Sequence, residues 1–313
     1  MARGEGSKAD PQGLWASFTL PGTIWLVALF VVPFFAIAAI AFGGVDPIFG
    51  SAVPRWNPLT WNFTAAHEVI NEIVNGSLRG VFVRTFGYVS LALILCFVIG
   101  YPVAYYLARY AGRAKGLLLA CVVLPIWMSY LMRMLAWVNL LNPRGGWAAS
   151  ALDAVGAKHV FQWVGLSSGG GSWFGQPITV IMGLVYGYIP FFILPLYANL
   201  DRIDPRYLEA ARDLGASSKA TFLRVTLPLS VPGILAASVI TALPMFGDYY
   251  TNTILSGSPG TDMVGNQIEL YITRSQEPQK GAVLVLVLSA LLLVLMAYYL
   301  ITTARTQKQA ANG

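Results

Sequence analysis

Charge is scarce in this chain of 313 residues: Asp, Glu, Lys and Arg together make up 11%, about half the share of a soluble domain. With 56% hydrophobic residues, an ordinary globular fold is excluded, because no soluble core of this size absorbs so much apolar surface. Cysteine is almost missing. Cys96 and Cys121 both lie inside apolar runs, which suits neither a disulfide framework nor a metal site. His67 and His159 stand in separate polar segments without ligand spacing, so no metal centre is expected. The chain contains no Gly-x-x-x-x-Gly-Lys-Ser/Thr phosphate loop and no cluster of a nucleophile with a base. No catalytic residue is therefore expected, and the chain does not read as an enzyme.

What is present is apolar length. The hydrophobic residues are gathered into six runs, each near the 20 residues needed to cross a bilayer as a helix: Phe18 to Phe42, Val81 to Ala108, Gly116 to Leu141, Pro177 to Leu200, Val231 to Ser256 and Lys280 to Thr303. Pro190, Pro195 and Pro244 fall inside them, which a membrane helix tolerates because neighbouring groups re-satisfy the freed carbonyls. The polar start, Met1 to Leu14, precedes an apolar run too long for a cleaved signal peptide, so it reads as a retained anchor. The expected fold is an all-α, multi-pass membrane protein with six transmembrane helices. Three regions are expected: 1–80 as leader, first helix and external loop; 81–303 as a five-helix core with an internal loop at 201–230; and 304–313 as a tail.

Lys and Arg collect on the inner side of short loops, so charge tests orientation. With the N-terminus inside, the inner segments hold twelve basic residues against six acids, whereas the outer segments hold seven of each. The whole formal charge of +6 then sits on one face. Both termini are expected in the cytoplasm, and the basic excess needs no nucleic-acid partner.

The loop before the fifth run is locally ordered. Asp204 can cap a helix, Pro205 suits its first position, and Gly215 can close its last turn. Ser217 or Ser218 can cap a second short helix through Lys219, Phe222 and Val225. Tyr207, Leu208, Ala211 and Leu214 recur at helical spacing, an apolar stripe suited to a soluble partner protein. An interfacial amphipathic helix is the plainer alternative.

Glu209-Ala210-Ala211, three residues, Gly215, nine residues, Val225, one residue, then Leu227-Pro228 resembles the motif of ATP-binding-cassette importer permeases of the binding-protein-dependent, type I class. In that family the motif forms a coupling helix that docks on the ATPase. The resemblance assigns ATPase coupling to Glu209, Ala210, Ala211 and Gly215, with Leu208 and Leu214 in the stripe. It implies a cytoplasmic ATPase dimer carrying ATP and Mg, a second homologous permease, an extracytoplasmic solute-binding protein and a bacterial plasma (inner) membrane location, with no cofactor in this chain. Leu166 to Gly171 superficially resembles the signature sequence of such ATPases, but it falls in an outer loop and reads as a flexible glycine-rich turn.

Pro125 through Trp137, Phe246-Gly247-Asp248 through Leu255, and Met263 through Asn266 are similar to the spermidine/putrescine permeases, which implies a polyamine importer. Other organic cations, amino-acid derivatives, phosphonates and iron chelates are the alternative solutes. A secondary transporter is the rival class, for which inverted repeats with broken helices are the missing signal.

Arg133 and Asp248 are the charges placed well inside the runs, where such groups are costly and usually functional. Each lies 17 residues from the inner start of its run, about 25 Å up at 1.5 Å per residue. Either they neutralise each other, or are satisfied by backbone and water, and hold the third run to the fifth, or Asp248 faces the path as a counter-charge to an ammonium group. Trp127, Tyr130, Trp137, Phe246, Tyr249 and Tyr250 flank them and offer cation–π faces, though aromatic residues also gather at membrane interfaces for solvation alone. The outer loops, 43–80 and 142–176, suit a docking surface. Within the first, Thr64 to Asn75 is expected to form a surface helix with Val69, Ile70 and Ile73 inward.

Overall fold

A computed structural model describes residues 11–46, 48–142, 145–167, 172–273 and 277–311, with the side chains of 11–18 and 302–311 not considered. With no water to satisfy backbone groups in a bilayer core, long apolar runs wind into helices whose hydrogen bonds stay within the segment. Among the described residues, five helices are long and apolar enough to cross a membrane, or six spans if one bent pair counts as one. The chain divides into two compact units, residues 1–69 with 271–286, and residues 70–270 with 287–313.

In the first unit, α1 (Pro11–Ala41) leads into a two-stranded hairpin, β1 (Gly44–Val45) with β2 (Ala52–Val53), paired antiparallel as Gly44 to Val53 and Val45 to Ala52. Asp46 turns the hairpin by accepting from the amides of Ile48 and Phe49. Gly43 is required here, because a Cβ would stand 2.4 Å from the carbonyl oxygen of Val53. Beside the hairpin, Phe35, Phe42, Trp56, Trp61 and Phe63 form an aromatic cluster with centroids 4.8 to 6.2 Å apart. The start of α14 (Pro278–Ala311) also belongs to this unit, and Lys280 Nζ lies 3.5 Å from Glu68 and 3.4 Å from Glu277. The helix expected on the outer loop exists as α2 (Thr64–Asn75). Its inward face is narrower than the spacing suggests: Val69 is fully buried and Ile73 partly so, but Ile70 is 51% exposed.

The second unit is built around α8 (Pro177–Arg202), which packs on α3 (Leu78–Arg109) and on α11 (Leu227–Phe246). Small residues set the approach, as in membrane helix pairs generally. A Cβ on Gly100 of α3 would come within 3.0 Å of Phe192, and one on Gly233 of α11 within 2.5 Å of Asn199. Pro190 and Pro195 lie inside α8 without interrupting it.

Two expected spans are broken. The third consists of α4 (Lys115–Trp127) and α5 (Tyr130–Leu140), which meet at 92°. Met128 and Ser129 are both extended, at ψ 140 and 134, just after Pro125, and two extended residues reorient the axis. The fifth begins earlier than expected. The α10 turn (Ser218–Thr221), a π-turn over Phe222–Thr226 and α11 are continuous and make one span, Ser218–Phe246. That span stops at Gly247, and α12 (Tyr250–Leu255) follows the gap. The straight 17-residue rise anticipated for Arg133 and Asp248 therefore does not apply, because a bend or a break precedes each of them.

The outer segment after α5 carries α6 (Trp147–Ala154) and α7 (Ala157–Trp163), held by a small core of Leu141, Ala148, Ala149, Trp173 and Ile178. Of the glycine-rich stretch Leu166 to Gly171, residues 168–171 lie outside the described residues. The unit also includes α9 (Pro205–Asp213) and α13 (Val264–Thr273) as far as Leu270, which frame the two sites below.

Candidate functional site

Among the described residues, Arg133 and Asp248 are the buried charged residues, 5% and 6% exposed. Asp248 sits in the gap between α11 and α12, where the backbone leaves the helix and a short side chain can face the bundle. Its carboxylate is filled by four donors. The hydroxyls of Tyr130 and Tyr188 donate at 2.7 and 3.1 Å, the amide of Thr251 donates at 3.0 Å, and the Thr251 hydroxyl donates as well. Tyr130 and Thr251 also share a short hydroxyl contact. A buried carboxylate needs such donors to offset desolvation.

Arg133 does not pair with it. Among the described residues the ion pairs are Lys115 with Asp201 and the contacts of Lys158 and Lys280. The Arg133 guanidinium instead lies 5.1 Å from the Tyr130 ring centroid. Its Nη1 donates to the Gly187 carbonyl at 3.5 Å, and its Nε has no partner. Mutual neutralisation, one of the two sequence readings, is thus replaced by an indirect link, with Tyr130 between: its ring faces Arg133 and its hydroxyl holds Asp248.

The gap that presents Asp248 is buttressed from behind. Gly265 of α13 lies against it, so closely that a Cβ there would stand 2.7 Å from the carbonyl oxygen of Gly247 and 2.9 Å from that of Asp248. Asn266 donates to the carbonyl of Tyr249 and to Thr253, while Asn252 donates to Asn266 and to Asp262. Burial pushes the Asp262 carboxyl above its usual range, against the lowering effect of Asn252, Arg84 and Gln267.

Of the aromatic residues anticipated around the charges, Tyr130 is the one that an observed contact joins to both. Trp127 is 86% exposed at the end of α4, Trp137 packs on Tyr186, Phe246 packs edge-on against Phe86, and Tyr249 stacks on Tyr250 at 4.1 Å. Tyr188 and Thr251 were not anticipated. Tyr188 follows Gly187 on α8, and that glycine beside a tyrosine was the available hint of close packing.

The second site is α9. Asp204 caps it by accepting from the Arg206 amide at 2.9 Å, Pro205 is its first residue, and Gly215 closes it with φ +82. Ser217 caps the next turn by accepting from the Ala220 amide. The stripe divides, however. Leu208 is buried and, with Tyr105, Ala108, Arg109 and Arg212, lines a groove of about 320 Å³ where α9 faces the end of α3. Tyr207 is exposed and Leu214 is 89% exposed. Glu209 and Ala210 are exposed and Ala211 is half-buried. Leu214, Gly215 and Ala211 border a wider groove of about 570 Å³ that runs to Arg224 and Val225. Arg109 donates to the Ile203 carbonyl at 2.9 Å, and Lys115 meets Asp201 at 2.7 Å, which fastens this end of α3, α4 and α8 together.

Several membrane-length helices, a charge buried at a helix break and a capped amphipathic helix fit a membrane permease. The chain belongs to the family of binding-protein-dependent transport system inner membrane components, whose family model matches residues 100–307. It is 30% identical over 275 residues, 88% of this chain and 89% of the relative, to the spermidine/putrescine transport system permease protein PotB of Haemophilus influenzae. It is 31% identical over 220 residues, 70% and 76% of the two chains, to PotB of Escherichia coli K12, and 28% identical over 253 residues to the inner membrane ABC transporter permease protein YdcU of the same organism, 79% and 80% covered. Its fold matches a chain in the crystal structure of a bacterial alginate ABC transporter in complex with a pentasaccharide-bound periplasmic protein, with TM-score 0.65 and 17% identity over 95% of this chain and 96% of that one. The chain is a multi-pass protein of the bacterial inner membrane and an importer permease of the type I fold.

Proposed function

We propose that this permease carries polyamines of the spermidine and putrescine class, delivered by an extracytoplasmic binding protein. Asp248 carries the reading: a buried carboxylate at a helix break, walled by the rings of Tyr130 and Tyr188, whose centroids are 5.8 Å apart, is a site for an ammonium group. A carboxylate supplies the charge and the rings supply cation–π faces. The names of the PotB relatives point to the same solutes.

In this reading α9 is the coupling helix. Glu209, Ala210, Ala211, Gly215 and the exposed Leu214 meet a cytoplasmic ATPase dimer that binds ATP and Mg, while Leu208 ties α9 to α3. A second homologous permease completes the pore, and both termini lie in the cytoplasm. ATPase closure moves α9, and the spans alternate between outward and inward access. This chain supplies the path and the lever, and the bond chemistry belongs to the partner.

Uptake of labelled putrescine and spermidine by proteoliposomes holding the full transporter tests this. Wild type is expected to import with ATP, and Asp248→Asn is expected to lose at least about tenfold, the equivalent of one charge-assisted contact, with assembly intact. Normal uptake by that variant sinks the role of Asp248, and failure of the wild type to import either amine retires the solute class.

A further inference from the structure

We infer that Arg133 is a tethered cation that exchanges with the ammonium group of the solute at Asp248, so that its guanidinium releases the solute by taking its place. This rests on the reading of Asp248 as the ammonium site.

Arg133 and Asp248 are satisfied very unequally. The carboxylate accepts four hydrogen bonds. The guanidinium, with five donors and a charge it cannot lose, has one hydrogen bond at the 3.5 Å limit, an orphaned Nε and the face of Tyr130. A cation left short of partners at 5% exposure is drawn to any carboxylate that opens, because a buried unpaired charge is costly.

Tyr130 controls whether Asp248 opens. Its hydroxyl occupies the carboxylate while its ring carries the guanidinium, so one turn of this side chain frees an acceptor and removes the cation's support together. Arg133 is attached to the same bundle and pays no association entropy, which gives it a high effective concentration against a free solute. With Tyr130 in place the carboxylate can trade hydroxyl donors for a solute ammonium. With Tyr130 turned away, Arg133 claims the carboxylate and the ammonium leaves. Asp248 is never left bare when the solute departs, which would otherwise hold the solute in the path.

The intact transporter in proteoliposomes is assayed for putrescine uptake across concentrations in wild type, Arg133→Gln, Arg133→Lys, Tyr130→Phe and Asp248→Asn. Exchange predicts that Arg133→Gln lowers Vmax about tenfold or more while KM stays or falls, because solute enters but is not displaced, and that Arg133→Lys restores part of Vmax. Tyr130→Phe keeps the ring and its volume but removes the hydroxyl that holds the carboxylate against Arg133, so Arg133 competes with the solute there and KM is expected to rise several-fold. It decides the matter alone if Arg133→Gln fails to assemble. Unchanged Vmax in Arg133→Gln, or unchanged KM in Tyr130→Phe, overturns the exchange. Asp248→Asn with normal uptake retires the underlying site instead, so the two failures are distinguishable.

Discussion

Gly187 serves the buried site twice. Its carbonyl accepts from Arg133, and its missing side chain admits Tyr130: a Cβ would stand 2.7 Å from the ring Cε2 and 2.9 Å from the hydroxyl. Because that hydroxyl is held by Asp248, the ring cannot yield without losing the bond. Gly187→Ala is therefore expected to cost about 1–3 kcal/mol as overpacking and to raise KM for putrescine, read by thermal unfolding in detergent and by uptake kinetics. Arg133 and Asp248 were legible because charges inside an apolar run stand out, and Tyr130 only as one of several aromatic residues beside them. Tyr188 was not, since a tyrosine in a membrane helix has an ordinary solvation role and nothing local marks which hydroxyl reaches a carboxylate 60 residues away.

At the scale of elements, α9 was the most readable part of the molecule. Its cap, its leading proline and its closing glycine act over four residues or fewer, and each is found in its expected place. Gly215→Val is expected to cost about 1–3 kcal/mol, because φ +82 is strained for a branched side chain. Glu209 is exposed, so Glu209→Arg is expected to change stability by no more than about 0.5 kcal/mol yet to abolish uptake if α9 is the ATPase contact. Membrane insertion by fractionation and uptake by the same vesicles separate the two effects. The 92° turn between α4 and α5 was missed, because mean hydropathy over a window is blind to two extended residues within it. The π-turn was missed as well. Phe222 packs edge-on against Tyr101 and Tyr105 at 5.7 and 5.5 Å, and Leu227 donates to the Phe222 carbonyl five residues back, a register set by packing against α3.

Across the whole molecule, the positive-inside rule predicts that α9 faces the cytoplasm. With Cys96 and Cys121 first replaced by alanine, a cysteine at Arg212 is expected to react with an impermeant maleimide only in inside-out vesicles, and one at His67 only in right-side-out vesicles. The reverse labelling inverts the topology. The sequence by itself determined where the apolar runs lie, how the loop charges are distributed and the ends of α9, because hydropathy, loop charge and helix capping are properties of contiguous residues. Only the tertiary structure decided that Asp248 is held by tyrosines from α5 and α8 while Arg133 stands apart. Side-chain partners 118 and 60 residues distant depend on how helices rotate and break against one another, which no local pattern encodes.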